Sequence, residues 1–144
     1  MGEEAMGDGM EAGLPAMQAA RNSWRCVQDH DREGWLDLMA EDVCVEDPIG
    51  QAPTNPTGQG VRGKKALGEF YDMSIAPSKM QIEVHESHAA ENESAHLMTI
   101  RATLANGVTT KIRSIFTYRV NDAGKITNLR GYWTMGDMEI EQPG

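Results

Sequence analysis

The stretch Ser114-Ile115-Phe116-Thr117-Tyr118-Arg119-Val120, closed by Asn121-Asp122-Ala123-Gly124 and resumed through Tyr132 and Trp133, decides the fold class. Ser114, Phe116, Tyr118 and Val120 fall on alternate positions, which is the period of a strand with one buried face. Asn, Asp and Gly in the next four residues are turn chemistry, so two strands meet there. Moving towards the N-terminus, Asn106-Gly107 is a second hairpin signal. Before it, His96, Met98 and Ile100 alternate in one strand, and Ile82, Val84 and His85 belong to an earlier one. The second half of the chain therefore reads as a four-stranded antiparallel meander. In the first half the period is helical. Met17, Ala20, Trp24 and Val27 form one apolar face, and Trp35, Leu38 and Met39 mark a second short helix. Leu67, Phe70 and Tyr71 mark a third over roughly 63–73. Between the second and third helices, Asp42 to Asp47 reads as a strand stopped by Pro48, which removes a ladder donor. Residues 48–61, with Pro48, Pro53, Pro56, Gly50, Gly58 and Gly60, read as a loop. Helices gathered on one face of an antiparallel sheet make an α+β fold. The expectation is three helices on a strongly curved, mainly antiparallel sheet that encloses an apolar pocket.

A chain of 144 residues with 40% apolar side chains suits one domain with one core. Its net charge of −9 excludes a basic nucleic-acid footprint. The sign sits at the ends: Glu3, Glu4, Asp8 and Glu11 precede residue 16, and Asp137, Glu139 and Glu141 follow residue 133, with no base in either segment. Residues 1–15 are expected to be a mobile acidic tail, 16–135 the folded domain and 136–144 a C-terminal tail. No apolar run is long enough to span a membrane. Cys26 and Cys44 lack metal-ligand spacing and lie in apolar patterns, so they read as free buried thiols. There is no secretory h-region, and Met6 does not fit a myristoylation start. The expected location is cytoplasmic.

The candidate for chemistry is Asp47. Strand alternation places Val43, Val45 and Asp47 on one face, so the carboxylate is aimed where the chain is apolar. Desolvation disfavours its charged form and makes it a stronger base. The alternative is an Asp that closes the strand and bonds the turn after Pro48.

The segment Ala40-Glu41-Asp42-Val43-Cys44-Val45-Glu46-Asp47-Pro48-Ile49-Gly50 resembles the aspartate loop of bacterial ketosteroid isomerases in the NTF2-like (SnoaL-like) superfamily. Gly68-Glu69-Phe70-Tyr71 resembles their third-helix motif. Tyr118-Arg119-Val120-Asn121-Asp122-Ala123-Gly124-Lys125 and Ile126-Thr127-Asn128-Leu129-Arg130-Gly131-Tyr132-Trp133 resemble their last two strands. The likeness spans about 16–135. It implies an NTF2-like cone, no cofactor, a homodimer and a steroid-like substrate. The implied reaction moves a C=C bond of a 3-oxo-Δ5-steroid into conjugation by a carboxylate-borne proton transfer, with Asp47 as the base. Such a site also needs hydrogen-bond donors to the enolate oxygen. There the sequence departs from the family. The first-helix Tyr falls on Ser23, and the protonated carboxylic acid falls on Phe116, which cannot donate.

Tyr118 shares the inward face with Phe116 and is the candidate replacement donor, with Ser23 as a second; a plain core aromatic is the alternative for Tyr118. Trp24, Tyr71, Met98, Ile100, Phe116 and Trp133 are expected to line the substrate pocket. His85, His88 and His96 straddle two strands without a matching carboxylate pattern, so no metal is expected, and His88 is expected in a solvated turn. Arg101 and Arg113 should point away from the pocket. A ligand-binding protein without turnover, and a SnoaL-like cyclase acting on another polycyclic ketone, are the competing functions.

Overall fold

The computed structural model describes residues 13–143. Helix α1 (Pro15–Gln28) starts on a proline at its first position, where the missing N–H is no loss. It buries Met17, Ala20, Trp24 and Val27, the face that its spacing predicts, together with Ser23. His30 (φ 55°) turns the chain, and the Asp31 carboxylate accepts from the Gly34 amide to cap α2 (Arg32–Asp37). Strands β1 (Met39–Glu46) and β2 (Val61–Arg62) flank the loop rich in Pro and Gly. Helix α3 (Lys64–Phe70) runs directly into a π-helical turn, Tyr71–Ile75. Then come β3 (Lys79–Ala90), β4 (Glu93–Thr103), β5 (Thr109–Val120) and β6 (Ile126–Tyr132), followed by a 3₁₀ turn and β7 (Glu139–Glu141).

The strands make one mixed sheet in the order β2-β1-β6-β5-β4-β3. The four-stranded meander is there as read, and β1 adds to it in parallel with β6, placing Val45 beside Leu129. The segment from 136, expected to be a tail, is partly structured. β7 pairs with the start of β5, Ile140 opposite Thr110, where β6 no longer covers that edge. The tail expected over residues 1–15 falls mostly outside the described residues. The turn expected near His88 lies further on. His88 is in β3 opposite Ala95, and Glu91 (φ 52°) makes the bend.

Strand β1 is covered on both faces, so Cys44 is buried along with Val43 and Val45. Its second cover is the 48–60 loop. A Cβ on Gly60 (φ 89°) would stand 2.6 Å from the Cys44 sulfur. The loop is organised around Asn55, which is fully buried. Its amide donates to the Pro48 carbonyl at 2.9 Å and accepts from the Gly60 N–H at 2.8 Å. Both ends of the loop that follows Asp47 are thereby tied to one side chain. Asn55→Ala orphans a buried carbonyl and a half-buried N–H, and it is expected to cost about 2–3 kcal/mol, measured by urea unfolding.

Candidate active site

The inward residues of the sheet form rows set by register. His96 stands opposite Phe116, which stands opposite Gly131; Ile100 stands opposite Ile112, and Ala102 opposite Thr110. Over these rows α1, the π-helical turn and the 53–54 corner enclose a cavity of about 510 Å³, a size suited to a small organic ligand. Its wall is chiefly apolar.

Asp47 follows β1 directly and faces this cavity. The Trp133 indole N–H donates to its carboxylate at 2.6 Å. Burial raises the pKa of Asp47, and the Trp133 hydrogen bond opposes that shift only in part. The Thr54 hydroxyl donates to the Asp47 backbone carbonyl at 2.5 Å, so the main chain closes the turn while the side chain stays in the cavity.

Tyr118 is buried in the same wall, and its oxygen accepts from the Trp24 indole N–H at 2.9 Å. Burial raises the phenol pKa, and Trp24 and Ser23 act against that rise. Ser23 in turn accepts from the Trp35 indole at 3.0 Å. The chain has three tryptophans, and each indole N–H is directed at one of the three candidate polar residues.

Trp24, Met98, Ile100, Phe116 and Trp133 line the cavity as read from sequence. Tyr71 does not. It stands one turn beyond Leu67 on the helix face that packs inward, its ring 5.7 Å from that of Trp35, while the adjacent Phe70 takes the place in the cavity wall. The Tyr71 hydroxyl is buried without a hydrogen-bond partner among the described residues. Residues that sequence reading passed over include Thr54, Ile75, Leu129 and Met138 in the wall, and Trp35 as the partner of Ser23. Arg101 and Arg113 do not line the cavity. His85 bonds Thr99 on the outer face of the sheet while His96 is buried on the inner one, and among the described residues no metal-holding cluster exists.

Two further residues hold the site without offering chemistry of their own. Gly131 lies under the Asp47–Trp133 pair. A Cβ there would stand 2.8 Å from Asp47 Oδ1, 2.9 Å from Phe116 and 2.9 Å from Trp133 Nε1. His96 stands edge-on to Trp24 at 4.7 Å and to Tyr118 at 5.5 Å. Ser87 bonds one of its ring nitrogens at 2.7 Å and Ser94 the other at 2.8 Å.

Comparison with known proteins gives the family. The sequence profile of the SnoaL-like domain matches residues 20–129, and the chain belongs to that family, whose fold is NTF2-like. A steroid Δ-isomerase of Nocardioides simplex is 31% identical over 104 residues, covering 72% of this chain and 76% of its own length. The crystal structure of a Δ5-3-ketosteroid isomerase from Mycobacterium sp. superposes with a TM-score of 0.87 at 51% identity, over 89% of this chain and 99% of the other. A Mycobacterium tuberculosis protein solved in complex with estradiol-17β-hemisuccinate gives a TM-score of 0.85 at 48% identity, over 88% and 98% of the two chains.

Two outcomes test this architecture. Gly131→Ala overpacks the wall and is expected to cost about 1–3 kcal/mol in thermal unfolding, and to move the Trp133 fluorescence as Asp47 is displaced. His96 has its pKa lowered from 6.5 to about 4, chiefly by burial. The unfolded chain therefore binds a proton between pH 6.5 and about 4 that the folded one refuses, so stability falls as pH falls through that window. The loss is on the order of 2–3 kcal/mol, and His96→Gln is expected to flatten that part of the unfolding-versus-pH curve.

Proposed function

We propose that this chain is a cofactor-independent steroid Δ-isomerase acting on a 3-oxo-Δ5-steroid. The observation that carries the reading is Asp47: a carboxylate of raised pKa in an apolar cavity that also holds the Tyr118 hydroxyl. In the proposed reaction the Asp47 carboxylate takes a proton from the carbon between the ketone and the double bond. The electron pair moves through the alkene to the carbonyl oxygen, giving a dienolate. Tyr118 donates to that oxygen while the charge is there. Asp47 then returns the same proton to the far alkene carbon, so the conjugated ketone forms with no net change in protons. The Trp133 N–H holds the carboxylate in place without protonating it, and a base of raised pKa accepts the proton more readily. The flat apolar rows of Met98, Ile100 and Phe116 suit a polycyclic hydrocarbon body. The homodimer implied by the family would use the outer face of the sheet, where Ile115 and Tyr132 are exposed beside Arg113 and Arg119.

Conversion of a Δ5-3-ketosteroid is followed by the growing absorbance of the conjugated enone. Asp47→Asn is expected to lower kcat by about 10²–10⁴, the usual contribution of a positioned base. The same change removes a charge that burial disfavours, so its melting temperature should rise by a few degrees. Equal rates in wild type and variant, or no conversion by either, reject the reading.

A second reading, carriage of a steroid without turnover, is favoured by one observation: Phe116 occupies the wall where the family places a carboxylic acid. Steroid binding retained in Asp47→Asn, with no conversion by wild type, selects it.

A further inference from the structure

Two hydroxyls of the cavity wall, those of Tyr118 and Ser23, each accept from the indole N–H of a tryptophan. An indole N–H can only donate, whereas a hydroxyl has one proton and room to accept. When Trp24 occupies a lone pair of the Tyr118 oxygen, the phenol proton must leave in another direction. Among the described residues no carbonyl or carboxylate accepts from Tyr118, and the cavity lies before it. Ser23 is similarly constrained. Its oxygen accepts from Trp35 at 3.0 Å, which turns its own proton away from Trp35, and Ser23 lines the same cavity.

We propose that Trp24 and Trp35 are positioning residues that set the Tyr118 and Ser23 hydroxyls as donors towards the ligand oxygen, through the bonds Trp24→Tyr118 and Trp35→Ser23. This rests on the reading of the site as one that binds a ketone whose oxygen becomes anionic. Charge developing on the ligand oxygen draws the Tyr118 and Ser23 protons towards it, and the indole N–H behind each hydroxyl stabilises the negative charge that builds on its oxygen. Donors linked in series strengthen one another, most of all where water is excluded. The chain is also held rigid. His96 stands edge-on to both Trp24 and Tyr118 with both ring nitrogens engaged, and Tyr71 packs on Trp35.

The test removes single N–H groups while keeping shape. Trp24 or Trp35 is replaced, in the full chain, by 3-benzothienylalanine, in which sulfur stands where the indole N–H was. Trp24→Phe and Trp35→Phe serve as second variants. The probe is 4-nitrophenol, whose ionisation in the bound state is read by its absorbance and does not depend on turnover. Wild type is expected to bind the phenolate more tightly than the phenol. Each isostere should weaken phenolate binding about tenfold, raising the bound ionisation midpoint by about one pH unit, with phenol binding nearly unchanged. On the steroid, kcat should fall about tenfold while KM stays within about threefold. The Trp24 isostere should add little further loss when combined with Tyr118→Phe, and the Trp35 isostere little when combined with Ser23→Ala, as expected of residues acting through one group. Unchanged phenolate affinity in both isosteres, or no preference for phenolate in wild type, overturns the proposal. A protein that isomerises no steroid, yet shows the indole-dependent phenolate preference, upholds it while rejecting the isomerase reading.

Discussion

The arrangement depends on keeping one carboxylate, Asp47, in an apolar cavity. Burial of an ionisable group costs folding free energy unless something stabilises it, and the compensation here is deliberately incomplete. A single short bond from Trp133 holds the carboxylate, while the pKa remains raised. More donors would make Asp47 a more comfortable anion and a poorer base. Fewer would let it rotate or let the loop open. Gly131 is part of the same constraint, because the close approach of Asp47, Trp133 and Phe116 leaves no room for a Cβ at that position.

That carboxylate also explains the way the chain is wound. β1 runs parallel to β6, which brings the end of β1 alongside Arg130 and the approach to Trp133. A purely antiparallel meander would leave Asp47 without its partner. The loop after Asp47 then folds back over the outer side of β1, and Asn55 ties its two ends. Asp47 thus sits at the junction of a strand and a locked loop, positioned by bonds independent of its own charge.

Much of this was legible from the sequence because it rests on periodicity. Alternation in 114–120 correctly placed Phe116 and Tyr118 inward, and the face of α1 correctly buried Trp24. Asp47 was placed by the same count through Val43 and Val45. What could not be read was set by contacts between distant segments. The parallel pairing of β1 with β6 leaves no local signal, and neither does the pairing of β7 with β5 across the hairpin from a segment that reads as a tail. Tyr71 was misplaced because a helix spacing of three and four covers a broad stripe. Leu67 and Tyr71 turn to the core, and Phe70, one position round, meets the cavity. Gly131 carries no signal of its own in the sequence, and its role emerges only when three side chains from different elements converge on it.

The tryptophans show most clearly where pattern and chemistry part. By periodicity Trp24, Trp35 and Trp133 are interchangeable large apolar residues on buried faces. In the fold each presents its one polar atom to a different oxygen. A buried indole must place its N–H somewhere, since an unsatisfied donor in the core costs about 1–3 kcal/mol. The polar residues of the cavity are the acceptors that meet this need. The requirements of the core and of the site are therefore met by the same bonds. A phenylalanine at any of the three positions would fill much of the same space and leave a hydroxyl or carboxylate unoriented. Side-chain volume at these positions is a demand of the core, whereas the N–H is a demand of the chemistry that the cavity is built to hold.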